Sequence, residues 1–404
     1  MTTVAIISEY NPFHTGHKYQ IDRIREEFGA DAVIISLMSG NFTQRGEIAI
    51  MDKWTRAKAA VECGVDLCLE LPFPYSMSAA DIFARSAVSI LNSLGTVDYL
   101  SFGSESGDIS ELERIADVML SEDYEKELAR LLESPNYKSK GYPTLCELAL
   151  DAQSGGSGST RLTPNNILGI EYIKALKRSS SSIKPHTIKR EGAAYDAERI
   201  SDIGHQSATA IRSIMMSDPY SALDYLPNEA FLTVSEAIKA GGCPTDAERL
   251  SASVITSLRL NSSISDGHLP DGQDGLYNRL RAKSFEANSI HDLVRLCETK
   301  KHTDAKLRRC VWYSLLGVTS SELKECPRFT QLLAADRLGT DELKRIKKES
   351  DFPILTKPSA TDALGEEAMR QKKKADSADS IYQLTKPLPP KGSYDMTSTP
   401  YVKR

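Results

Sequence analysis

Two histidines three residues apart, His14 and His17, bracket Thr15 and Gly16 in the stretch EYNPFHTGHKYQ, directly after the apolar run VAIIS at Val4–Ser8. At that spacing two imidazoles fall on one side of a helix's first turn. There they join the free backbone N–H groups that make a helix start a site for phosphate. Gly16 lets a phosphate approach the backbone closely. The chemistry this combination suits is stabilisation of charge that develops on a polyphosphate as a bond to phosphorus changes partners. No GxxxxGK[ST] occurs, which excludes a P-loop, and no GxGxxG follows the first apolar run, which disfavours a dinucleotide oxidoreductase.

The elements that must position the histidines are legible around them. Val4–Ser8, Ala32–Leu37, Asp66–Leu71 and Val97–Phe102 are short apolar runs, and His17–Phe28, Asp52–Cys63 and Ala79–Leu94 between them have helical period. Strands alternating with helices predict an α/β fold with a Rossmann-like parallel sheet covered on both faces. One long helix is predicted over Ile109–Glu133, a Gly/Ser loop over Ser154–Thr163, a helix over Pro164–Lys177, a strand over Ile183–Lys189 and a helix from Ser207 to Met216. From about residue 217 the strand signal fades, and helical segments run to about 350 with a Ser/Gly/Asp-rich loop at Asn261–Asp274. The expected organisation is therefore a catalytic domain over 1–216, a mainly helical domain over 217–350 and an extended tail over 351–404, whose QKKKADSADS and KPLPPKGSYD read as a solvated arm.

Bulk properties narrow the partners. With a net charge of −5, the 404-residue chain does not coat nucleic acid by overall charge, so any such contact needs a local basic patch. The seven cysteines form no CxxC or CxxxC pair, which argues against a zinc site or a disulfide framework and for a reducing compartment. The opening apolar run is too short for a signal peptide and no segment approaches a membrane span, so a cytoplasmic protein is expected.

A second motif matches the first. Ser207–Arg212 (SATAIR) places hydroxyls and an arginine at a helix start, where Ser207 or Thr209 can cap and the Arg212 fork can reach a phosphate. HTGH followed by SATAIR resembles the paired signatures of the HxGH nucleotidyltransferase and class I aminoacyl-tRNA synthetase superfamily. The resemblance narrows with SEYNPFHTGH, MSGNFTQRGE, KWTRAKAAVECGVDLCLELPFPYS, LSFGSE and TPNNILGIEYIKAL, which in this order are similar to the tRNA(Met) cytidine acetate ligase family. The match runs from residue 4 to about 216. The sequence departs from the family pattern in GAAYD (192–196), where Asp196 stands in place of a usual histidine.

What the resemblance implies is an ATP-dependent ligase. It would form acetyl-AMP and pass the acetyl group to N4 of the wobble cytidine of elongator tRNA(Met), with Mg²⁺ held mainly by the ATP phosphates and no metal site of protein ligands. His14, His17 and Arg212 are implied as the catalytic residues. Implied for ATP binding are Ile7, Ser8, Glu9, Tyr10, Asn11, Pro12, Phe13, His14, Thr15, Gly16, His17, Lys18, Tyr19 and Gln20, with Gly103, Asn165, Arg190, Ser207 and Thr209. Asn41, Gln44, Arg45 and Lys53, at the end of the second strand and the start of the next helix, are expected on the acetate or cytidine side, and Arg56 begins the same helix.

The tRNA requires a basic surface. Arg295–Arg309 (RLCETKKHTDAKLRR) holds six Lys/Arg against Glu298 and Asp304, so Lys300, Lys301, Lys306, Arg308 and Arg309 are expected to contact phosphates, and Lys372–Lys374 to add a contact from the tail. Two other functions fit the first motif: a small-molecule adenylyltransferase of the same superfamily, or an RNA-binding protein on a retired nucleotidyltransferase fold. The long helical extension argues against the former and the intact His14, Gly16, His17 and Arg212 against the latter.

Overall fold

Strand β1 (Thr3–Ser8) lies inside the sheet and pairs in parallel with β2 (Val33–Ser39) on one side and β4 (Tyr99–Ser104) on the other. In the computed structural model, which describes residues 1–137, 140–154, 162–190, 207–260, 268–272 and 275–404, the order is β5-β4-β1-β2-β3-β6-β7. Here β3 is Leu67–Leu71, β5 Lys184–Lys189, β6 Thr330–Ala335 and β7 Ile354–Leu355, and β8 (Tyr401–Val402) pairs with β6. The chain winds outward from β1 through β2 and β3, then returns to β4 and β5 on the opposite side. That reversal puts a switch point at the carboxyl ends of β1 and β4, where α/β sheets bind ligands.

Alternate residues of the strands feed different cores. Ala5, Ile35 and Leu69 pack with Phe83, Leu91 and Ile173 on one face, and Val4, Ile34 and Cys68 pack with Ile21, Ala57 and Val61 on the other. The helices supplying these layers are α1 (Thr15–Phe28), α2 (Lys53–Glu62), α3 (Ala80–Leu94), α4 (Ile109–Met119), α5 (Glu122–Glu133), α6 (Tyr142–Ser154), α7 (Pro164–Arg178) and α8 (Ala208–Ser217). The predicted helix over Ile109–Glu133 is two. Ser121 starts a new one by accepting the Tyr124 N–H (3.3 Å), and the acids that follow it mark a helix start.

α9 (Asn228–Lys239) packs on α2 in the second core, while a third core belongs to α10 (Ser251–Leu260), α11 (Leu276–Ser284), α12 (Ile290–Cys297), α13 (Asp304–Leu316) and α14 (Ser320–Lys324), of which α10 to α13 supply most of its side chains. The region 217–350 is not only helical, however. β6 leaves it to pair antiparallel with β3, and α15 (Arg337–Glu349) covers that part of the sheet. Gly339 permits this approach, since a Cβ there would sit 1.8 Å from the Asp66 carbonyl oxygen.

The expected extended tail is folded into the body. Within 351–404, α16 (Glu366–Tyr382) buries Ala368, Gln371, Lys372, Ala375, Ala378, Asp379 and Tyr382, a stripe spaced by threes and fours. After it come α17 (Tyr394–Thr397) and β8. The stripe is built from small alanines and from charges with partners, so its composition reads as solvated. Lys53 Nζ meets Asp379 at 2.6 Å and Glu70 at 2.9 Å, Lys386 meets Asp52 at 2.6 Å, and the Trp54 indole donates to Asp395 at 2.9 Å, all buried.

Candidate active site

At the end of β1 the backbone turns at Tyr10, whose φ of 46° is left-handed, and runs over Asn11 into α1. The turn is clamped from two helices. Fully buried Arg56 of α2 donates to the carbonyls of Glu9, Ser39 and Gly40, and Arg212 of α8 donates Nη1–H to the Asn11 carbonyl at 2.9 Å. Asn11 Oδ1 accepts the Ile50 N–H at 2.7 Å.

His14 is the N-cap of α1, and the two imidazoles form a reciprocal capping box. His14 Nδ1 accepts the Gly16 N–H at 3.0 Å, and His17 Nδ1 accepts the His14 N–H at 3.2 Å. A backbone N–H can only donate, so in each neutral ring the proton is on Nε2. The rings lie 3.9 Å apart between centroids, with Tyr10 edge-on to His17 at 4.9 Å. Burial, reinforced by His14 and Arg190, holds His17 well below its ordinary pKa, so it stays neutral.

Both histidines line a cavity of about 600 Å³ at the switch point. So do Ile7, Ser8, Glu9, Tyr10, Asn11, Gly16, Tyr19 and Gln20 of the first motif, together with Gly103, Asn165, Arg190, Ser207, Thr209, Arg212, Gln44 and Arg45. Pro12, Phe13, Thr15 and Lys18 do not: Phe13 is buried against Tyr10 and His17, and Lys18 pairs with Asp22 along α1. Asn41 and Lys53 are also corrected. Both are buried in the network with Asp379, where Asn41 donates at 2.8 Å, so neither faces the cavity. Burial pulls the Lys53 pKa down, but Asp379 and Glu70 outweigh it and the ammonium titrates above its ordinary range.

The N-terminus of α8 closes the cavity opposite α1. Ser207 Oγ accepts the Ala210 N–H at 3.2 Å, and Arg212 reaches Glu47 at 2.8 Å and the Thr209 hydroxyl at 3.3 Å. Along β4, Arg190 packs over Gly103, where a Cβ would come within 3.2 Å of its Cγ. Arg190 donates to Asn165 Oδ1 at 3.4 Å, and Asn165 donates to Glu105 Oε1 at 2.7 Å. Glu105 also accepts the Thr163 hydroxyl at 2.7 Å. Sequence reasoning missed Glu105, although it ends the LSFGSE block. It also missed the apolar wall of Phe83, Phe102, Leu168 and Tyr172, whose side chains read as ordinary core. Asp196 lies outside the described residues.

The basic cluster is not one solvated face. α13 packs on the loop after β2, where a Cβ on Gly46 (φ 77°) would lie 2.5 Å from the Arg309 nitrogen, and the Trp312 indole donates to the Gly46 carbonyl at 2.9 Å. Arg309 is therefore buried at the cavity edge, 3.6 Å from Asp271, and does not stand on the surface. Lys306 lies 4.0 Å from Asp271 and Arg308 pairs with Asp304 at 2.7 Å, while Lys300 is exposed and Lys301 half-buried. Of Lys372–Lys374 only Lys373 is exposed: Lys372 is buried beside Asp376, and Lys374 donates to the Gly317 carbonyl at 2.8 Å.

A mostly parallel sheet whose first strand opens into HxGH, faced across a switch-point cavity by a serine-capped helix carrying Arg212, defines a nucleotidyl transferase of the HIGH class. The HIGH Nucleotidyl Transferase family model matches residues 1–395. The chain is 37% identical over 364 residues to the tRNA(Met) cytidine acetate ligase of Caldanaerobacter subterraneus subsp. tengcongensis, covering 88% of this chain and 89% of that one. It is 38% identical over 384 residues to that of Clostridium botulinum, covering 90% and 91%. A crystal structure of Thermotoga maritima TmcAL bound with α-thio ATP superposes with a TM-score of 0.90 at 28% identity, over 100% of this chain and 99% of that one. The chain belongs to the tRNA(Met) cytidine acetate ligase family.

Proposed function

We propose that this protein activates acetate with ATP and transfers the acetyl group to N4 of the wobble cytidine of elongator tRNA(Met), acting in the cytoplasm. The observation that carries this reading is the histidine pair, whose Nδ1 atoms are fixed by backbone donors so that each ring carries its donor hydrogen on Nε2. Acetate is a poor electrophile and the cytosine amine a poor nucleophile. Joining the carboxylate to AMP supplies a leaving group.

ATP lies with its adenosine toward Gly103, Asn165 and Arg190 and its phosphates between the N-termini of α1 and α8. An acetate oxygen attacks the α-phosphorus and pyrophosphate leaves. His14 and His17 donate to the phosphate oxygens as charge builds. Ser207, Thr209 and Arg212 hold the same phosphates from α8. Gln44 and Arg45 face the acyl group. The cytidine then attacks the acetyl carbonyl, and AMP departs. The base comes from a single-stranded loop, so turning it into the cavity costs little. Lys300, Lys301, Lys306 and Arg308 approach tRNA phosphates near the cavity mouth.

Among the described residues no group of three or more His, Cys, Asp or Glu side chains is placed to hold a metal ion. A Mg²⁺ ion would be held by the ATP phosphates and water, where it would neutralise phosphate charge. Among the described residues no helix is long and apolar enough to cross a membrane.

The test is exchange of labelled pyrophosphate into ATP. Exchange that requires acetate supports the activation step. Exchange that requires a phosphorylated small molecule in place of acetate sinks it.

A further inference from the structure

Acetyl transfer needs a proton acceptor, because the attacking amine must shed a proton as its bond to the acetyl carbon forms. Among the described residues lining the cavity, four side chains could accept one: His14, His17, Glu9 and Glu47. The histidines are disqualified by geometry, since each Nδ1 already accepts a backbone N–H and each Nε2 carries a hydrogen. Glu47 is spoken for by Arg212 at 2.8 Å. Glu9 is different. Its Oε1 accepts the Gln44 N–H at 2.9 Å, which orients the carboxylate, and Oε2 has no partner among the described residues. Its backbone is fixed as well, by the Arg56 guanidinium on the Glu9 carbonyl.

An ionised carboxylate has no donor for a phosphate, so membership of the nucleotide-binding stretch does not explain Glu9. Its Gln44 bond ties it to the loop after β2, on the side of the acyl group. We infer that Glu9 is the base that takes the N4 proton of the cytidine during acetyl transfer, an inference that rests on the ligase reading. In that step the N4–C bond forms and the acyl C–O bond to AMP breaks. The electron pair leaves on the AMP phosphate oxygen, and the proton passes to Glu9 Oε2, from which it returns to solvent after release. The groups facing Glu9 are Arg212 of α8, Arg45 and Glu47 of the loop after β2, and the Tyr172 hydroxyl of α7. Burial, against the Gln44 N–H and these two arginines, raises the Glu9 pKa above its ordinary value, which makes it a stronger base.

The experiment splits the reaction in two, with the full chain, ATP, acetate and unmodified elongator tRNA(Met) transcript. Glu9→Gln preserves the acceptor for the Gln44 N–H and removes the basic oxygen. Acetyl transfer should fall by at least about 100-fold, well beyond any loss of acetate-dependent pyrophosphate exchange. Glu9→Asp, which keeps a carboxylate, should transfer at least about tenfold faster than Glu9→Gln. Transfer at the wild-type rate in Glu9→Gln overturns the inference. So does a parallel loss of exchange and transfer, or Glu9→Asp no faster than Glu9→Gln. A wild-type protein that shows neither exchange nor transfer instead removes the ligase reading beneath it.

Discussion

Replacing His17 by asparagine separates two roles that alanine removes together. In the structure His17 Nδ1 caps the His14 N–H at 3.2 Å, and its Nε2–H is the donor assigned to phosphate. An asparagine oxygen can stand where Nδ1 does, so His17→Asn keeps the capping box and loses only the donor. His17→Ala loses both. The lost cap costs about 1 kcal/mol of stability. The lost donor, aimed at charge that forms only in the transition state, costs about 2.7–4 kcal/mol, or roughly 10²–10³ in the rate of acetyl-AMP formation. Both variants should therefore slow acetate-dependent pyrophosphate exchange equally, while only His17→Ala unfolds earlier in urea. Michaelis constants for ATP should change little beside the rate. If His17→Asn exchanges at the wild-type rate, the donor assignment is wrong. If it exchanges faster than His17→Ala by more than the stability difference explains, the cap and not the donor serves catalysis.

Three more outcomes are expected. His17 is held neutral well below 6.5, whereas the unfolded chain takes a proton near that pH, so the wild type should lose stability relative to His17→Asn as pH falls through 6.5; parallel stability–pH curves would contradict this. Lys53→Met leaves Glu70 and Asp379 buried beside each other without their cation and should cost about 3–5 kcal/mol in urea unfolding, with Asp379→Asn in the same chain recovering part of it; a loss below about 1 kcal/mol would deny the network its role in holding α16. Charge reversal at Lys300 and Lys301 should weaken tRNA binding and lower the slope of log affinity against log salt by roughly 1 for each phosphate these lysines neutralise, with ATP affinity unchanged; an unaltered slope would move the RNA surface elsewhere.

The sheet and the histidine turn were legible because their signals are local. An apolar run, a glycine and a cap lie within twenty residues of one another, and β1 to β5 follow the predicted runs closely. The failures share a different cause. β6 (TQLLAA) is buried on both faces, so it has no apolar–polar alternation to mark it as a strand. The α16 stripe is alanine, glutamine and paired charge, apolar enough to pack only because Lys53, Asn41 and Tyr75 lie opposite. Lys53 read as a substrate-facing cation and Arg309 as a tRNA-facing one because their partners, Asp379 and Asp271, are remote in sequence or on another element. Glu105 was hidden for the same reason, since its role emerges only when Thr163 and Asn165 come to meet it.

The most direct test of the central claim follows oxygen. The protein would be given ATP, unmodified elongator tRNA(Met) and acetate labelled with ¹⁸O in both positions, and the nucleosides and AMP would be weighed by mass spectrometry. Activation through acetyl-AMP predicts N4-acetylcytidine with one heavy oxygen and AMP with the other, because the acyl C–O bond breaks on the acetyl side. Unlabelled AMP beside acetylated cytidine, or ADP as the nucleotide product, would contradict the account.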